Sequence, residues 1–428
     1  MRSPLVALAL ALSPALLAQT APPVVTGQFQ RIQLTDEFWA EGAHFGDFNK
    51  DGTLDVVCGN FWFAGPTFKE RHEYYRVEKS FTVKQADGTE KTIQGYKGAL
   101  SSENDYSRNF LTYTHDFNAD GWIDILVLGF PGAESWWFEN PQGKGGLWPQ
   151  HVAIDFTENE SPTFTDLTGD GRPEIVCGSQ GYLGYAEYDP KNPQAKFTWH
   201  SVSPLVMGPG KGGKPAPVYF KFTHGLGVGD VNGDGRPDFL EKTGWWEQPA
   251  SLVGDPVWQK HEALFGTRGG AQMFVYDVNA DGLNDVITSL DGHGYGIAWF
   301  QQTREGGAEG WTKHMIVGET AGENPQGIVF SQPHAMDLVD MDGDGVKDLV
   351  TGKRFWAHGP SGDADPMGTP VLYWFRLTRA DGRVTWPATL IDDASGVGTQ
   401  VTAGDLNADG RPDVVVGNKR GAFVLLQK

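Results

Sequence analysis

Two kinds of residue are scarce in this chain, and each scarcity rules something out. Only two of 428 residues are cysteine, Cys58 and Cys177, so no dense disulfide framework holds the fold. Basic residues are outnumbered, 34 Lys and Arg against 54 Asp and Glu, for a formal charge of −20. A nucleic-acid partner needs a basic face to meet its phosphates, which excludes that class. Long apolar runs are missing as well, so no membrane span is expected. The stretch from Leu5 to Leu17 stands out but is too short to cross a bilayer. Long helical periodicities are few. In their place come short apolar runs punctuated by Gly, Asp, Asn and Pro, with 57 Gly in all, which indicates an all-β protein.

Residues 1–21 read as a secretory signal: Arg2 gives a positive start, an apolar stretch follows, and small residues stand at Ala18, Thr20 and Ala21. A buried N-terminal helix is the competing reading. With no Cys near the cleavage point, a bacterial lipid anchor is not expected, and the mature chain is placed outside the cell or in the periplasm. Length alone would suggest two or three domains, but repeats override that and make residues 25–428 a single domain.

The repeat is Asp-x-Asn/Asp-x-Asp-Gly-x-x-Asp followed by an apolar strand. Its first three copies are Asp47-Asn49-Asp51-Asp55, Asp116-Asn118-Asp120-Asp124 and Asp166-Thr168-Asp170-Glu174. Asp230-Asn232-Asp234-Asp238 and Asp277-Asn279-Asp281-Asp285 follow. The last two are Asp340-Asp342-Asp344-Asp348 and Asp405-Asn407-Asp409-Asp413. First positions are 69, 50, 64, 47, 63 and 65 residues apart, a period that signals a propeller or solenoid. Calcium takes six to eight hard oxygen ligands. Oxygens at loop positions 1, 3 and 5 can converge on one ion, Gly at position 6 permits the sharp turn, and the acid at position 9 closes the site. Strand rather than helix follows, as in Asp413-Val414-Val415-Val416, so each loop joins two strands. A metal-free Asx turn is the competing reading for any one loop; seven copies argue for several structural calcium ions. The third copy, with Thr168 and Glu174, is expected to be the weakest site, and the sixth, with four acids, the strongest. Seven divalent ions would offset most of the charge of −20, so metal and stability should be coupled.

Each repeat also carries an apolar strand before the loop, another after it, and an aromatic third strand such as Trp136-Trp137-Phe138 or Trp245-Trp246. A fourth often carries His, as at His151, His200, His261 and His314. Four strands per unit make a propeller blade, and packing is the expected role of these aromatics and histidines. The last repeat lacks its fourth strand, and residues 29–34 resemble it. The expectation is a seven-bladed β-propeller, four antiparallel strands per blade, closed by the N-terminal strand. Cys58 and Cys177 occupy matching places in non-adjacent repeats, too far apart to bond, and read as buried small hydrophobes.

The loop between strands resembles the FG-GAP and VCBS repeat family, which includes the integrin alpha propeller. The resemblance implies a seven-bladed propeller with calcium in the loops between first and second strands. It implies no activity, because the family spans adhesion, binding and enzymatic proteins.

In such a blade the end opposite the calcium loop gathers the starts of first strands and the loops after second strands. Those places offer Glu41, His44, Arg108, Asn109, Asn159, Glu160, His224, Gln272, Gln332, His334 and Gln400. They also offer Asn60, Gln180, Lys242, Asp291, His293, Tyr295, Lys353, Arg354, His358, Lys419 and Arg420. The candidate catalytic set is His224, His334, His293, Tyr295, Lys353, Arg354 and His358. His and Tyr serve as general acids and bases, and Lys and Arg can stabilise an enolate or carboxylate. Surface ion pairs and satisfied core histidines are the competing readings. His224 and His334, at matching points of blades four and six, could share a transition metal. The run Gly352-Lys353-Arg354-Phe355-x-Ala357-His358 is similar to a segment in the propeller of the fungal aldos-2-ulose dehydratase family. That resemblance implies dehydration or β-elimination on a keto-sugar. The chain lacks a Gly-x-Ser-x-Gly elbow, a phosphate loop and a His-Glu-x-x-His motif. Long connections at 64–108 and 200–223 are expected to wall the site, the first with a hairpin turn at Asp87-Gly88. Two functions fit: a carbohydrate lyase or dehydratase, or a non-catalytic module binding glycans or extracellular proteins.

Overall fold

The computed structural model describes residues 27–77, 80–84, 88–94, 106–305 and 308–428. The expected leader at 1–21 and the turn residue Asp87 lie outside them.

Every acidic loop satisfies its own backbone. In the first, Asp47 accepts the Asp51 and Gly52 amides through its two oxygens, and Asp51 Oδ1 accepts the Thr53 amide. The same bonds recur in the second, fourth, fifth, sixth and seventh loops, from Asp116 and Asp120 through to Asp405 and Asp409. Such side-chain-to-backbone bonds are what short polar residues offer in place of a helix or ladder. Gly52 sits at φ 86°, a left-handed turn that glycine enters without strain.

The acid at position 9 does something different. It is fully buried, and one oxygen accepts the amide of position 2 in its own loop: Asp55 from Phe48, Asp124 from Phe117, Asp413 from Leu406. In six of the units the other oxygen accepts an amide from the third strand or just beyond it, as Asp285 does from Gln302 within the strand and Asp124 from Asn140 beyond it. One carboxylate thus ties loop, second strand and third strand together. Glu174 departs from this: its longer side chain turns back to the Leu167 and Thr168 amides and the Thr168 hydroxyl.

Among the described residues the strands form five four-stranded sheets, one eight-stranded sheet and three two-stranded hairpins. The eight-stranded sheet is two antiparallel groups of four that meet through a short parallel pairing of Leu226–Gly229 with Gln272–Tyr276. Each group carries one acidic loop between its first and second strands. The segment Phe29–Thr35 pairs antiparallel with Gly421–Gln427, at the edge of the group that carries the seventh loop. Seven apolar clusters lie between consecutive groups. One of them joins Val415 and Val424 to Ala43, Val56 and Phe61, so the last group packs on the first. Cys58 and Cys177 are buried and free, in separate clusters. No helix among the described residues is long and apolar enough to cross a membrane.

The aromatic and His positions meet in register. Trp62 pairs with His72, Trp137 with His151, Tyr185 with His200, Trp245 with His261 and Trp299 with His314 across the third and fourth strands. Their rings stack at centroid distances of 4.0 to 4.9 Å. These outer histidines are therefore packing residues, as cross-strand pairs of this kind stabilise a sheet.

The clamp makes a prediction. In calcium-free buffer, Asp124→Ala leaves two buried amides without partners, at about 1–3 kcal/mol each. It should lower the melting temperature much more than Asp120→Ala, which alters a half-buried side chain within the loop. Equal shifts in differential scanning calorimetry would contradict the clamp.

Candidate functional site

Antiparallel pairing fixes which residues share an end. Gly229 opposite Asp238 stands beside the fourth loop, while Leu226 opposite Glu241 stands at the far end. Residues just before first strands or just after second strands therefore gather away from the acidic loops. The third, fourth, fifth and sixth units bring four side chains to one point.

His224 precedes the first strand of the fourth unit, His293 follows the second strand of the fifth, and His334 precedes the first strand of the sixth. Glu160 comes from the start of the third. His224 Nε2 lies 3.0 Å from His293 Nε2, 3.2 Å from His334 Nε2 and 3.4 Å from Glu160 Oε2. His334 Nε2 is 3.1 Å from the same carboxylate oxygen. These four side chains form a group that could hold a metal ion. Gly292 lets them close: a Cβ there would stand 3.1 Å from His224 Cδ2 and 3.2 Å from His334 Cδ2.

Burial and charge set the protonation around them. Burial pushes His334 well below the ordinary imidazole range, and the Arg354 guanidinium adds to this. Burial also lowers His293, against the opposing effect of the Asp363 carboxylate, which accepts from its ring. Burial alone would raise Glu160, but the His224 and His334 imidazoles hold its carboxyl well below the usual range. Arg354, 1% exposed, lies 3.0 Å from Glu41 Oε2 and 3.8 Å from Glu160 Oε2. Those two carboxylates outweigh its burial and keep it charged. Arg354 is thus engaged by protein carboxylates from the first and third units.

Two further groups flank the cluster. His358 Nδ1 is 2.8 Å from Asp363 Oδ2, and His293 Nδ1 is 3.3 Å from Asp363 Oδ1, so one carboxylate bridges both rings. Lys353 is almost fully buried and donates to the Ser331 hydroxyl. Burial pulls its amine down to about 8, against Asp365 and Asp363. Tyr295 enters through a backbone bridge to Ser331. An aromatic wall runs alongside: Tyr106 packs 5.0 Å from Phe130 and 5.7 Å from His358, and Phe130 5.5 Å from Phe222. Tyr106 and Phe222 stand near the ends of the two long connections.

Of the seven expected catalytic residues, the structure brings His224, His293 and His334 into contact and links His358 to them through Asp363. Lys353 and Arg354 adjoin this group. Glu41 and Glu160 were legible as ring members but not as partners of the imidazoles; Asp363 was missed, and its signal was the acidic run at 363 and 365 just after His358. Other ring members brace the fold. Gln400 holds both the amide and the carbonyl of Thr112, and Gln272 reaches the Thr399 carbonyl.

At the loop end, three carboxylates of the third loop (Asp166, Asp170, Glu174) offer oxygens within 4.8 Å of one another. So do Asp340, Asp342 and Asp344 of the sixth. Their chemistry is the all-oxygen set that calcium takes. Arginines share the ground: Arg376 bonds Asp342 and Asp344, and Arg411 bonds Asp409.

Two segments match known repeat families. Residues 116–177 match the FG-GAP-like repeat, and residues 397–424 match the FG-GAP repeat. Together they contain the second, third and seventh loops. No curated protein matches the chain. Among solved structures it is similar to rhamnogalacturonan lyase PL11 of Bacillus licheniformis, at 12% identity and TM-score 0.39, covering 94% of this chain and 76% of that one. It is similar to rhamnogalacturonan lyase YesW at 12% identity and TM-score 0.36, covering 96% and 74%. It is similar to the V. cholerae biofilm matrix protein Bap1 at 11% identity and TM-score 0.26, covering 91% and 76%. Likenesses this loose identify neither activity nor ligand. The chain thus carries FG-GAP repeats, in segments that hold three of its seven loops.

Proposed function

We propose that the chain is a secreted, calcium-binding propeller of seven blades that acts on a carbohydrate at the end opposite its loops. The seven groups of four strands supply the blades, and the Phe29–Thr35 pairing with Gly421–Gln427 supplies the closure. Residues 25–428 then form one domain, preceded by the leader. Calcium in the acidic loops is structural: it offsets the clustered acids far from the chemistry.

One observation carries the reading of activity. Imidazoles, a buried amine and carboxylates from separate units converge beside an aromatic wall. Concave sites with convergent polar groups are where ligands bind. Half-buried Tyr106 and exposed Phe222 offer flat rings that suit the faces of a sugar, and Lys353 is poised near neutrality for proton transfer. The reaction class is a lyase or dehydratase step in which a proton leaves a carbon next to a carbonyl or carboxylate. Lys353 is the proposed base, and His358, whose Nδ1 is held by Asp363, serves a leaving oxygen. Arg354 holds Glu41 and Glu160 in place.

A second reading has its own support. Leu205, Met207, Val218 and Phe222 are exposed around the hairpin of Met207–Pro209 with Pro215–Pro217. An apolar patch of this kind marks a docking surface, and the chain would then bind a glycan or extracellular protein without turnover.

Calcium removal should lower the melting temperature by on the order of 10 °C, several sites each contributing through mass action. Elemental analysis should find several calcium ions per chain. One ion or none would defeat the calcium reading. On a panel of oxidised and plain glycans, turnover should rise with pH through about 8, as Lys353 sheds its proton to become the free base. Lys353→Met should reduce that turnover roughly 100-fold or more. Glycan binding without turnover in wild type would favour the second reading, and a Lys353→Met variant as active as wild type would remove Lys353 as the base.

A further inference from the structure

The contacts among the central imidazoles cannot all be hydrogen bonds. An imidazole nitrogen carries at most one proton. His224 Nε2 nonetheless faces His293 Nε2 at 3.0 Å, His334 Nε2 at 3.2 Å and Glu160 Oε2 at 3.4 Å. His334 Nε2 faces both His224 Nε2 and, at 3.1 Å, Glu160 Oε2. Hydrogen bonding can relieve some of these contacts and leaves others as lone pair against lone pair. A single cation among the four atoms would turn every one of them into a ligand.

The spacing fits such an ion. Ligands about 2.0–2.2 Å from one metal stand about 3.3–3.6 Å apart in a tetrahedron, or about 2.8–3.1 Å apart when adjacent in an octahedron. Four of the six separations, at 3.0 to 3.4 Å, fall in this range, and all four atoms lie within 4.8 Å of one another. A pair of hydrogen-bonded histidines would bring two nitrogens together, not three nitrogens and a carboxylate oxygen.

The surroundings are those of a ligand set held from behind. His293 turns its other nitrogen, Nδ1, to Asp363 at 3.3 Å, the carboxylate–histidine arrangement that orients metal-binding imidazoles. His358 steadies the same carboxylate. The nearby Arg354 lies 3.0 Å from Glu41, whose carboxylate offsets part of its charge. His334 and Glu160 are closed off from solvent, while His224 and His293 retain some exposure. An ion at this point is approached from one side only, which leaves room for an exchangeable oxygen ligand.

We propose that Glu160, His224, His293 and His334 form a mononuclear site for a divalent first-row transition metal, separate from the calcium loops and open toward the aromatic wall. Three imidazoles and one carboxylate are a donor set for zinc, iron, manganese or cobalt, whereas calcium and magnesium prefer oxygen alone. The ligand offered to the open position is an oxygen of a carbonyl, hydroxyl or carboxylate, the groups that a sugar acid or keto-sugar carries. The site goes beyond the carbohydrate reading, and metal binding can be measured whether or not any glycan is turned over.

The test uses the full mature chain, free of any histidine tag, stripped with chelator and refilled with calcium. Co²⁺ is then titrated while visible absorption is followed, with elemental analysis after dialysis. Wild type should take up about one cobalt per chain with the absorption of a nitrogen- and oxygen-bound ion. His293→Ala and Glu160→Gln should each weaken that binding at least tenfold while leaving the calcium content unchanged. His293 is partly exposed, so its removal tests the site without emptying the core. Asp340→Asn, in a loop at the other end, should leave cobalt uptake as in wild type. Absence of stoichiometric cobalt in wild type would overturn the site, as would variants that bind it as wild type does, or a loss caused by Asp340→Asn alone.

Discussion

One buried carboxylate, repeated, organises this molecule. At the ninth position of six of its loops an aspartate sits out of water, with one oxygen on an amide of the loop and the other on an amide by the third strand. A buried carboxylate is costly unless hydrogen-bonded, and here the backbone supplies the bonds. Burial and the acids at positions 1 and 5 raise its pKa, to about 8 for Asp124 and about 7 for Asp238 and Asp285. The side chain that locks the unit is therefore also the one under greatest electrostatic strain. A cation in the loop would relieve that strain, so the fold and the charge of −20 turn on the same residues.

The loops were legible because their logic is local. A turn that uses its own Asp and Asn oxygens is written in nine consecutive residues, and so is the strand that follows. The stacked pairs were half legible: Trp245 and His261 could be read as packing residues, but register alone shows that they face each other. Thr168 and Glu174 marked the third loop as unusual, and the structure gives the reason, a longer acid that folds back on its own loop.

The site was legible as a place and not as an arrangement. Strand polarity put His224, His334, Lys353 and Arg354 at one end. Which of these touch depends on how far each unit leans inward, and no spacing in the sequence encodes that. Glu160 and His334 meet across 174 positions. Arg354, expected to face a ligand, is drawn instead to Glu41 across 313 positions. Asp363 lies in a connecting loop with no repeat counterpart, so repeat alignment could not point to it.

The two ends of the strands therefore hold different chemistry: hard oxygens in the loops and imidazoles with a carboxylate at the other end. The most direct measurement is anomalous diffraction from crystals of the full chain, collected near the edges of first-row metals and again where calcium scatters. The account predicts calcium peaks in the acidic loops and one separate transition-metal peak among Glu160, His224, His293 and His334. Loops without calcium, or a cluster holding only water after crystals are soaked in the metal, would contradict it.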